Sequence, residues 1–337
     1  RIILHTGKVD IGQRISTAMA IIAAEELDVD YDRVDVKRTE TDIDPNEGFT
    51  AGSMSMQHSG KAIRMASATA RRFLLARAAE KLGVDIETLA VEDGLIQSRE
   101  TNESITYWEL MPKGRFDIPV DEDVAVKAPD DHTKVGSSVL TKGMSEIVTG
   151  TMRYIHDMVL PDMLNARLVR PPHYQAELKS IDKGVIERLV ENNITVVRDG
   201  SFVAVVAADE YGAVKAAGQI ANAIEWDLKD GLAIGELYET LTSNERISLP
   251  VVKGGAPVDE PVPPLNEPPA EAAETVSARF EKPYHMHGSI APSAGCALFK
   301  DNKLTVWTHN QGVYPLRAAI AEALGMDVYY YDVEDKL

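Results

Sequence analysis

The chain has 337 residues, enough for about two ordinary domains with cores of their own. Apolar residues make up 44% and charged residues 26%, which is typical of a soluble globular protein and excludes a disordered one. The net charge of −18 disfavours binding to nucleic acid or anionic lipid, and no apolar run approaches the roughly 18 to 20 residues that a membrane helix needs.

The first hundred residues predict the order strand, helix, strand, helix. Apolar residues at helical spacing between Met19 and Leu27 indicate the first helix, with Ser16 or Thr17 as its expected cap. The second helix is expected to begin near Gly60 and end at Gly83. Strands are expected at residues 2–5 and 34–36.

Four further segments differ in their sequence patterns. Residues 101–142 lose periodicity and predict an extended connector. A self-contained α+β module is expected from Ser145 to Asp227, closing with a helix from Asp209 to Trp226. Residues 251–269 are dense in proline and acids and predict a surface linker. A third unit is expected to contain strands at 276–280, 297–299 and 304–308 and a helix at 315–324.

The chain has one cysteine, Cys296. A single thiol excludes an internal disulfide, a thiolate zinc cluster and a cysteine-bound iron–sulfur cluster, so any redox metal must come with an organic cofactor or lie in another chain. We expect Cys296 to be a small core residue. Both ends of the chain lie in strand-like runs, which predicts a fragment of a larger subunit.

Two loops that lead into helices are candidate anion sites. In Gly7-Lys-Val-Asp-Ile-Gly-Gln, glycine lets the backbone approach a ligand, and free N–H groups of the following helix favour an anion. Thr50-Ala-Gly-Ser-Met-Ser offers small residues and three hydroxyls. A plain strand-to-helix turn is the alternative for the first loop, and an N-capping cluster is the alternative for the second.

Two later motifs carry polar side chains. His285 and His287 have a spacing that can chelate zinc, but no neighbouring acid or thiol completes a site, so we expect a satisfied, partly buried pair. Trp307-Thr-His-Asn-Gln-Gly follows a strand, where open α/β sheets place functional groups. A polar turn after a buried strand is the alternative.

Taken together, these motifs resemble the molybdopterin-binding large subunit of the xanthine oxidase and aldehyde oxidase family, in the branch of isoquinoline 1-oxidoreductase beta subunits and nicotinate dehydrogenases. Gly7-Lys-Val-Asp-Ile-Gly-Gln resembles the family's Gly-x-x-Glu-x-Gly-Gln loop, although Arg14 stands where a glycine is common. The other matching segments are Thr50-Ala-Gly-Ser-Met-Ser, Val148-Thr-Gly-Thr-Met-Arg, Arg170-Pro-Pro, Val203-Ala-Val-Val-Ala, Tyr284-His-Met-His-Gly-Ser and Trp307-Thr-His-Asn-Gln-Gly.

The resemblance implies an α+β chain in which segments of molybdopterin-binding domains flank an a/b hammerhead domain. The implied divisions are a molybdopterin-binding segment at 1–100, a connector at 101–142, the hammerhead domain at 143–230, a proline- and acid-rich linker at 231–274, and the start of the other molybdopterin-binding domain at 275–337.

The resemblance also implies site residues. Gln311 would be catalytic, as the glutamine that hydrogen-bonds an oxygen ligand of molybdenum beside the substrate. No side chain is expected to bind the metal directly, and the family's late glutamate base has no counterpart in these residues. The residues implied to line the molybdopterin are Ile11, Gly12 and Gln13, and those implied to hold its pterin and phosphate are Thr50, Gly52, Ser53, Met54 and Ser55.

The implied activity is hydroxylation of an N-heterocycle or aldehyde, with water as the oxygen source. The implied cofactor is molybdopterin, as a cytosine dinucleotide, with molybdenum. Iron–sulfur clusters would lie only in a partner, a small [2Fe-2S] subunit, with a cytochrome or other electron acceptor beyond it. A non-catalytic scaffold or assembly protein of the same fold is the alternative. A cytoplasmic and a periplasmic location both agree with the sequence.

Overall fold

A computed structural model describes residues 1–111, 117–228, 237–243, 251–253, 256–261, 267–327 and 331–335. They divide into two compact units, one formed by Arg1–Met158 with Ala291–Leu337 and the other by Val159–Ile290. Helices and short strands alternate in both units, which confirms a mixed helix-and-strand fold. The hammerhead assignment and the predicted domain boundaries stay predictions.

The first unit opens with two parallel strands joined by a helix. Strand β1 (Ile2–Leu4) pairs with β2 (Val34–Val36), and α1 (Ile15–Glu26) makes the crossover that parallel pairing requires. Helix α2 (Lys61–Leu82) packs on α1 and ends before Gly83, as predicted. The side chains that α1 buries in this shared core include Met19, Ala20, Ala23 and Ala24.

A three-stranded antiparallel sheet follows α2. It consists of β3 (Leu89–Glu92), β4 (Leu95–Ser98) and β5 (Ser104–Thr106), and the short helix α3 (Tyr107–Leu110) leaves its last strand. Ile105 and Tyr107 are buried in the core that α1 and α2 share, so the expectation of an extended connector is wrong for these residues. Residues 112–116 lie outside the described residues.

Buried carboxylates of α1 hold the rest of the predicted connector. Glu25 is 1% exposed, and its Oε2 accepts the backbone N–H groups of Thr133, Lys134 and Val135 at 3.0, 2.6 and 2.9 Å. Burial raises the pKa of this carboxyl, but these N–H groups and the Lys127 ammonium outweigh burial and lower it to about 2. The segment beyond residue 117 is therefore tied to the core before α4 (Met144–Val148) begins.

The second unit packs helices on antiparallel strands. Its first elements are β6 (Asn165–Leu168), β7 (Glu177–Ile181), α5 (Lys183–Glu191), β8 (Thr195–Asp199), β9 (Phe202–Ala207), α6 (Glu210–Ala221) and β10 (Ile224–Asp227). The strands form one sheet in the order β6-β9-β8 and a second sheet of β7 with β10. Its core contains Val203 and Val205 of β9 and Ala216 and Ile220 of α6.

Three predictions for this unit are wrong. The helix expected to reach Trp226 ends at Ala221, because residues 224–227 alternate between half-buried and exposed and pair with β7 as a strand. Residues 251–269, expected to be a linker, contain the hairpin β11 (Val251–Lys253) and β12 (Ala256–Val258), after the short helix α7 (Leu237–Ser243). The strand expected at 276–280 does not form.

The first unit is completed by the end of the chain. Strands β13 (Gly295–Lys300) and β14 (Lys303–Thr308) form a hairpin, and β15 (Tyr331–Asp335) pairs with β14 in parallel. Helix α8 (Val313–Leu324) provides the crossover between β14 and β15. Among the helices of the described residues, none has both the length and the apolar character to cross a membrane.

Candidate functional site

The two predicted loops lie side by side in the first unit. The backbone N–H of Val9 donates to Oγ1 of Thr50 at 2.9 Å, and Thr50 is buried. The Lys8 ammonium donates to the backbone oxygens of Glu47 and Phe49 at 2.6 and 2.8 Å. The first loop is thus bound directly to the start of the second.

The segment after β14 reaches the same place. Thr50 N–H donates to the backbone oxygen of Gln311 at 2.6 Å, and Gln311 Nε2 lies 3.4 Å from the Thr50 oxygen. Gly312 lets this segment lie directly against the backbone of residues 48 and 49. Only glycine fits there, because a Cβ at position 312 would lie 2.9 Å from the Gly48 oxygen and 3.1 Å from the Phe49 ring. All three predicted motifs therefore contact one another at Thr50.

Asp10 organises the first loop. Its Oδ1 accepts the N–H groups of Gly12 and Arg14 at 3.2 and 3.1 Å, and its Oδ2 accepts the Ser16 hydroxyl at 2.8 Å. The expected cap at Ser16 or Thr17 is wrong, because α1 begins at Ile15 and its N-cap is Arg14, which makes no side-chain capping bond. Asp10 stands at the glutamate position of the family motif, which is the signal that could have identified it.

Gln13 closes the same loop on itself. Its Oε1 accepts the N–H of Ile11 at 2.6 Å, and its Nε2 donates to the Val9 oxygen at 3.1 Å. Ile11, Gly12 and Gln13 are all exposed, and a Cβ on Gly12 would have no atom within 4 Å. The side chains of Asp10 and Gln13 accept the N–H groups of Ile11, Gly12 and Arg14. A ligand would therefore find an exposed surface on this loop, but not the N–H groups of these three residues as donors.

The second loop has the free donors. Gly52 and Ser53 both have left-handed backbone conformations, with φ of 63° and 57°, and both are exposed. Within the described part of the chain, the N–H groups of Gly52, Ser53 and Ser55 have no hydrogen-bond partner. A π-helical turn, Met56–Gly60, then leads into α2. Exposed N–H groups and hydroxyls ahead of a 22-residue helix suit an anion.

Asn310 lies in the predicted Trp307-Thr-His-Asn-Gln-Gly motif, where the sequence singled out only Gln311. Its Oδ1 accepts the N–H of Gly312 at 2.7 Å, while its buried Nδ2 has no hydrogen-bond partner among the described residues. Burying an amide nitrogen without a partner is costly, so Asn310 adds an unsatisfied donor beside Gln311. Its place in a polar segment directly after a strand is the signal in the sequence that could have identified it.

The remaining candidates have no recorded contact with the three motifs that meet at Thr50 within the described residues. His285 and His287 are exposed, so the expected partly buried pair is wrong. Cys296 of β13 is half-buried, and burial raises the pKa of its thiol, which opposes a reactive thiolate. In the part of the chain that the structure describes, no group of three or more His, Cys, Asp or Glu could hold a metal ion.

These features fit an organic cofactor that carries phosphate. The second loop provides unpartnered N–H groups and the hydroxyls of Ser53 and Ser55 for phosphate oxygens. Gln13 and Gln311, whose segments both contact Thr50, provide neutral amides for hydrogen bonds to a polar ring.

Comparison with known proteins identifies a family that binds a cofactor of this kind. Residues 1–144 match the molybdopterin cofactor-binding domain family. A nicotinate dehydrogenase subunit of Pseudomonas putida is 33% identical over 332 residues, which cover 95% of this chain and 27% of that protein. The beta subunit of isoquinoline 1-oxidoreductase of Brevundimonas diminuta is 27% identical over 248 residues, which cover 62% of this chain and 32% of that protein.

A solved structure, quinoline 2-oxidoreductase from Pseudomonas putida 86, aligns with 60% of this chain and 30% of its own at 20% sequence identity and a TM-score of 0.41. The chain spans only about a third or less of the length of these relatives.

Proposed function

Because this chain belongs to the molybdopterin-binding subunits of the xanthine oxidase family, we propose that it forms part of a molybdenum hydroxylase. The substrate class is an N-heterocycle or an aldehyde, and the inserted oxygen comes from water. The observation that carries the proposal is the meeting of three separate motifs at Thr50, each with polar groups suited to one cofactor.

The chain's own residues bind and orient the cofactor. Thr50, Gly52, Ser53, Met54 and Ser55 hold the pterin and phosphate, with the free N–H groups of the loop as donors. Ile11, Gly12 and Gln13 line it through the open surface above Gly12. When bound, molybdopterin with molybdenum, as a cytosine dinucleotide, supplies the redox centre.

Gln311 acts at the reacting oxygen. Its Nε2 makes a long hydrogen bond of 3.4 Å to the Thr50 oxygen and its side chain is exposed, so the amide can exchange this bond for one to a ligand oxygen at little cost. A neutral amide donates to an oxygen that gains negative charge without adding a charge of its own. These properties support Gln311 as the catalytic residue of this chain.

These 337 residues bind the cofactor, and we assign the onward transfer of electrons to iron–sulfur clusters outside them. The chain has one cysteine, too few for an iron–sulfur cluster. We therefore assign the clusters to a small [2Fe-2S] subunit, which passes electrons to a cytochrome or other acceptor. The two relatives compared above are themselves named as single subunits of their enzymes, which supports a complex of several chains.

Metal and phosphate analysis of the purified protein tests the proposal. We expect molybdenum near one per chain, with a cytidine nucleotide released on hydrolysis. A protein that contains no molybdenum after expression in a host that makes the cofactor would instead be a non-catalytic scaffold or assembly protein of the same fold.

A further inference from the structure

Lys8 is a buried cation whose contacts are with backbone oxygens. Its residue is 7% exposed, and among the described residues no carboxylate forms an ion pair with its ammonium. The hydrogen bonds of the ammonium go to two backbone oxygens, those of Glu47 and Phe49. A buried ammonium is costly unless such bonds satisfy it, so these two contacts are strongly maintained.

One of the two oxygens belongs to the peptide unit between Phe49 and Thr50. That unit is held at both ends, since its oxygen accepts from Lys8 Nζ at 2.8 Å and its N–H donates to the Gln311 oxygen at 2.6 Å. When a cation donates a hydrogen bond to the oxygen of a peptide unit, it polarises the N–H of that unit. The hydrogen bond that this N–H donates becomes stronger. Lys8 is thus connected to Gln311 through a single peptide unit.

We infer that Lys8 is a positioning residue, which holds the Thr50–Ser55 loop against the first loop and, through the Phe49–Thr50 peptide, orients Gln311. The inference rests on the proposed function for its consequence in catalysis. Its geometric part does not, because Lys8 contacts backbone oxygens of this chain itself.

Three variants of the complete protein test it. Lys8→Met keeps a side chain of similar length but removes its positive charge and its N–H donors. Lys8→Arg keeps the positive charge and the N–H donors. Lys81→Met is the matched control, because Lys81 is an exposed lysine near the end of α2. Circular dichroism and thermal denaturation first establish that each variant folds.

Hydrogen exchange followed by mass spectrometry supplies the decisive measurement. In Lys8→Met we expect exchange of the hydrogen-bonded amides in residues 47–55 and 309–313, such as those of Thr50 and Gly312, to become at least tenfold faster while α2 stays protected. Lys8→Arg should stay within threefold of the unchanged protein, and Lys81→Met should show no change in either segment. A general structural role would instead increase exchange throughout the unit, and that result, or an unchanged Lys8→Met, would overturn the inference.

Cofactor content gives a second measurement. If the unchanged protein contains molybdenum, Lys8→Met should retain at most a tenth of it and Lys8→Arg at least half. An unchanged protein without molybdenum contradicts the proposed function but leaves the exchange test of Lys8 valid. Should Lys8→Met not fold, Lys8→Gln, which keeps a donor without the charge, is measured in its place, and wild-type exchange in both segments would refute the inference.

Discussion

Thr50 and Gln311, 261 positions apart in the chain, are joined through both main chain and side chain. The Thr50 N–H donates to the Gln311 oxygen at 2.6 Å, and the Gln311 amide returns a longer bond of 3.4 Å. The short bond does not involve the Gln311 side chain. The position of the segment and the chemistry of its side chain can therefore be changed separately.

Gln311→Ala should reduce turnover and leave the cofactor in place. The main-chain bond to Thr50 persists, so we expect cofactor content within twofold of the unchanged protein. The loss of one donor to a developing negative charge typically costs roughly ten- to a thousandfold in kcat. Steady-state kinetics with molybdenum analysis measures both. Gln219→Ala, on the exposed face of α6, is the control, and full activity of Gln311→Ala would contradict the assigned role.

Gly312→Ala should separate α8 from the second loop. A Cβ at this position would lie 2.9 Å from the Gly48 oxygen and 3.3 Å from the Phe49 Cα, and both are backbone atoms that cannot move aside freely. We expect a loss of about 1–3 kcal/mol in the free energy of unfolding.

Gly218→Ala is the matched control with the opposite sign. Gly218 is exposed within α6, and a Cβ there would meet nothing within 4 Å, so alanine should stabilise the protein by about 1 kcal/mol. Urea denaturation measures both variants. Equal effects at the two positions would show that the contact at Gly312 is not tight.

Arg14→Gly should stabilise the protein. Arg14 precedes α1 with φ of 61°, a left-handed conformation that costs a residue with a Cβ roughly 1 kcal/mol and costs glycine little. Its backbone N–H bond to Asp10 does not need the side chain. Thermal denaturation should show a gain of up to about 1 kcal/mol for Arg14→Gly and none for Arg14→Ala. A gain in both variants would point to the arginine side chain instead of the backbone.

Glu25 should make stability depend on pH in the acid range. Its pKa is about 2 in the folded protein and near its usual 4.5 when unfolded, so its ionised form favours folding above pH 4.5. This contribution is lost as the pH falls from about 5 to about 2, and a shift of this size corresponds to roughly 3 kcal/mol. Denaturation measured across this pH range tests the sign and the window.

Glu25→Gln should remove most of this pH dependence and destabilise the protein by about 2–4 kcal/mol, because three N–H groups and Lys127 lose a charged acceptor. Glu122→Gln, at an exposed position, is the control. An acid profile for Glu25→Gln that matches the unchanged protein would assign the effect to other carboxylates.

Local patterns in the sequence were sufficient for the elements with clear periodicity. Helix α2 ends where Gly83 stands, and both strands of the β13–β14 hairpin lie where apolar alternation predicts them. The pattern failed at Trp226, where apolar residues fit either a helix or a strand and pairing with β7 decided the outcome. It also failed at Ile105, whose strand is stabilised by a neighbouring strand and a shared core that a local window does not contain.

For the site, the sequence by itself determined which residues are there: two loops of small and hydroxyl-bearing residues, a glutamine after a strand, too few cysteines for an iron–sulfur cluster, and a resemblance that comparison with known proteins supports. Only the tertiary structure decided which polar groups are free. Asp10 and Gln13 occupy the first loop's donors, whereas those of Gly52, Ser53 and Ser55 have no partner within the described residues. Hydrogen-bond satisfaction depends on neighbours distant in the chain, as Lys8 with Phe49 and Thr50 with Gln311 show, and the order of residues does not specify such neighbours locally.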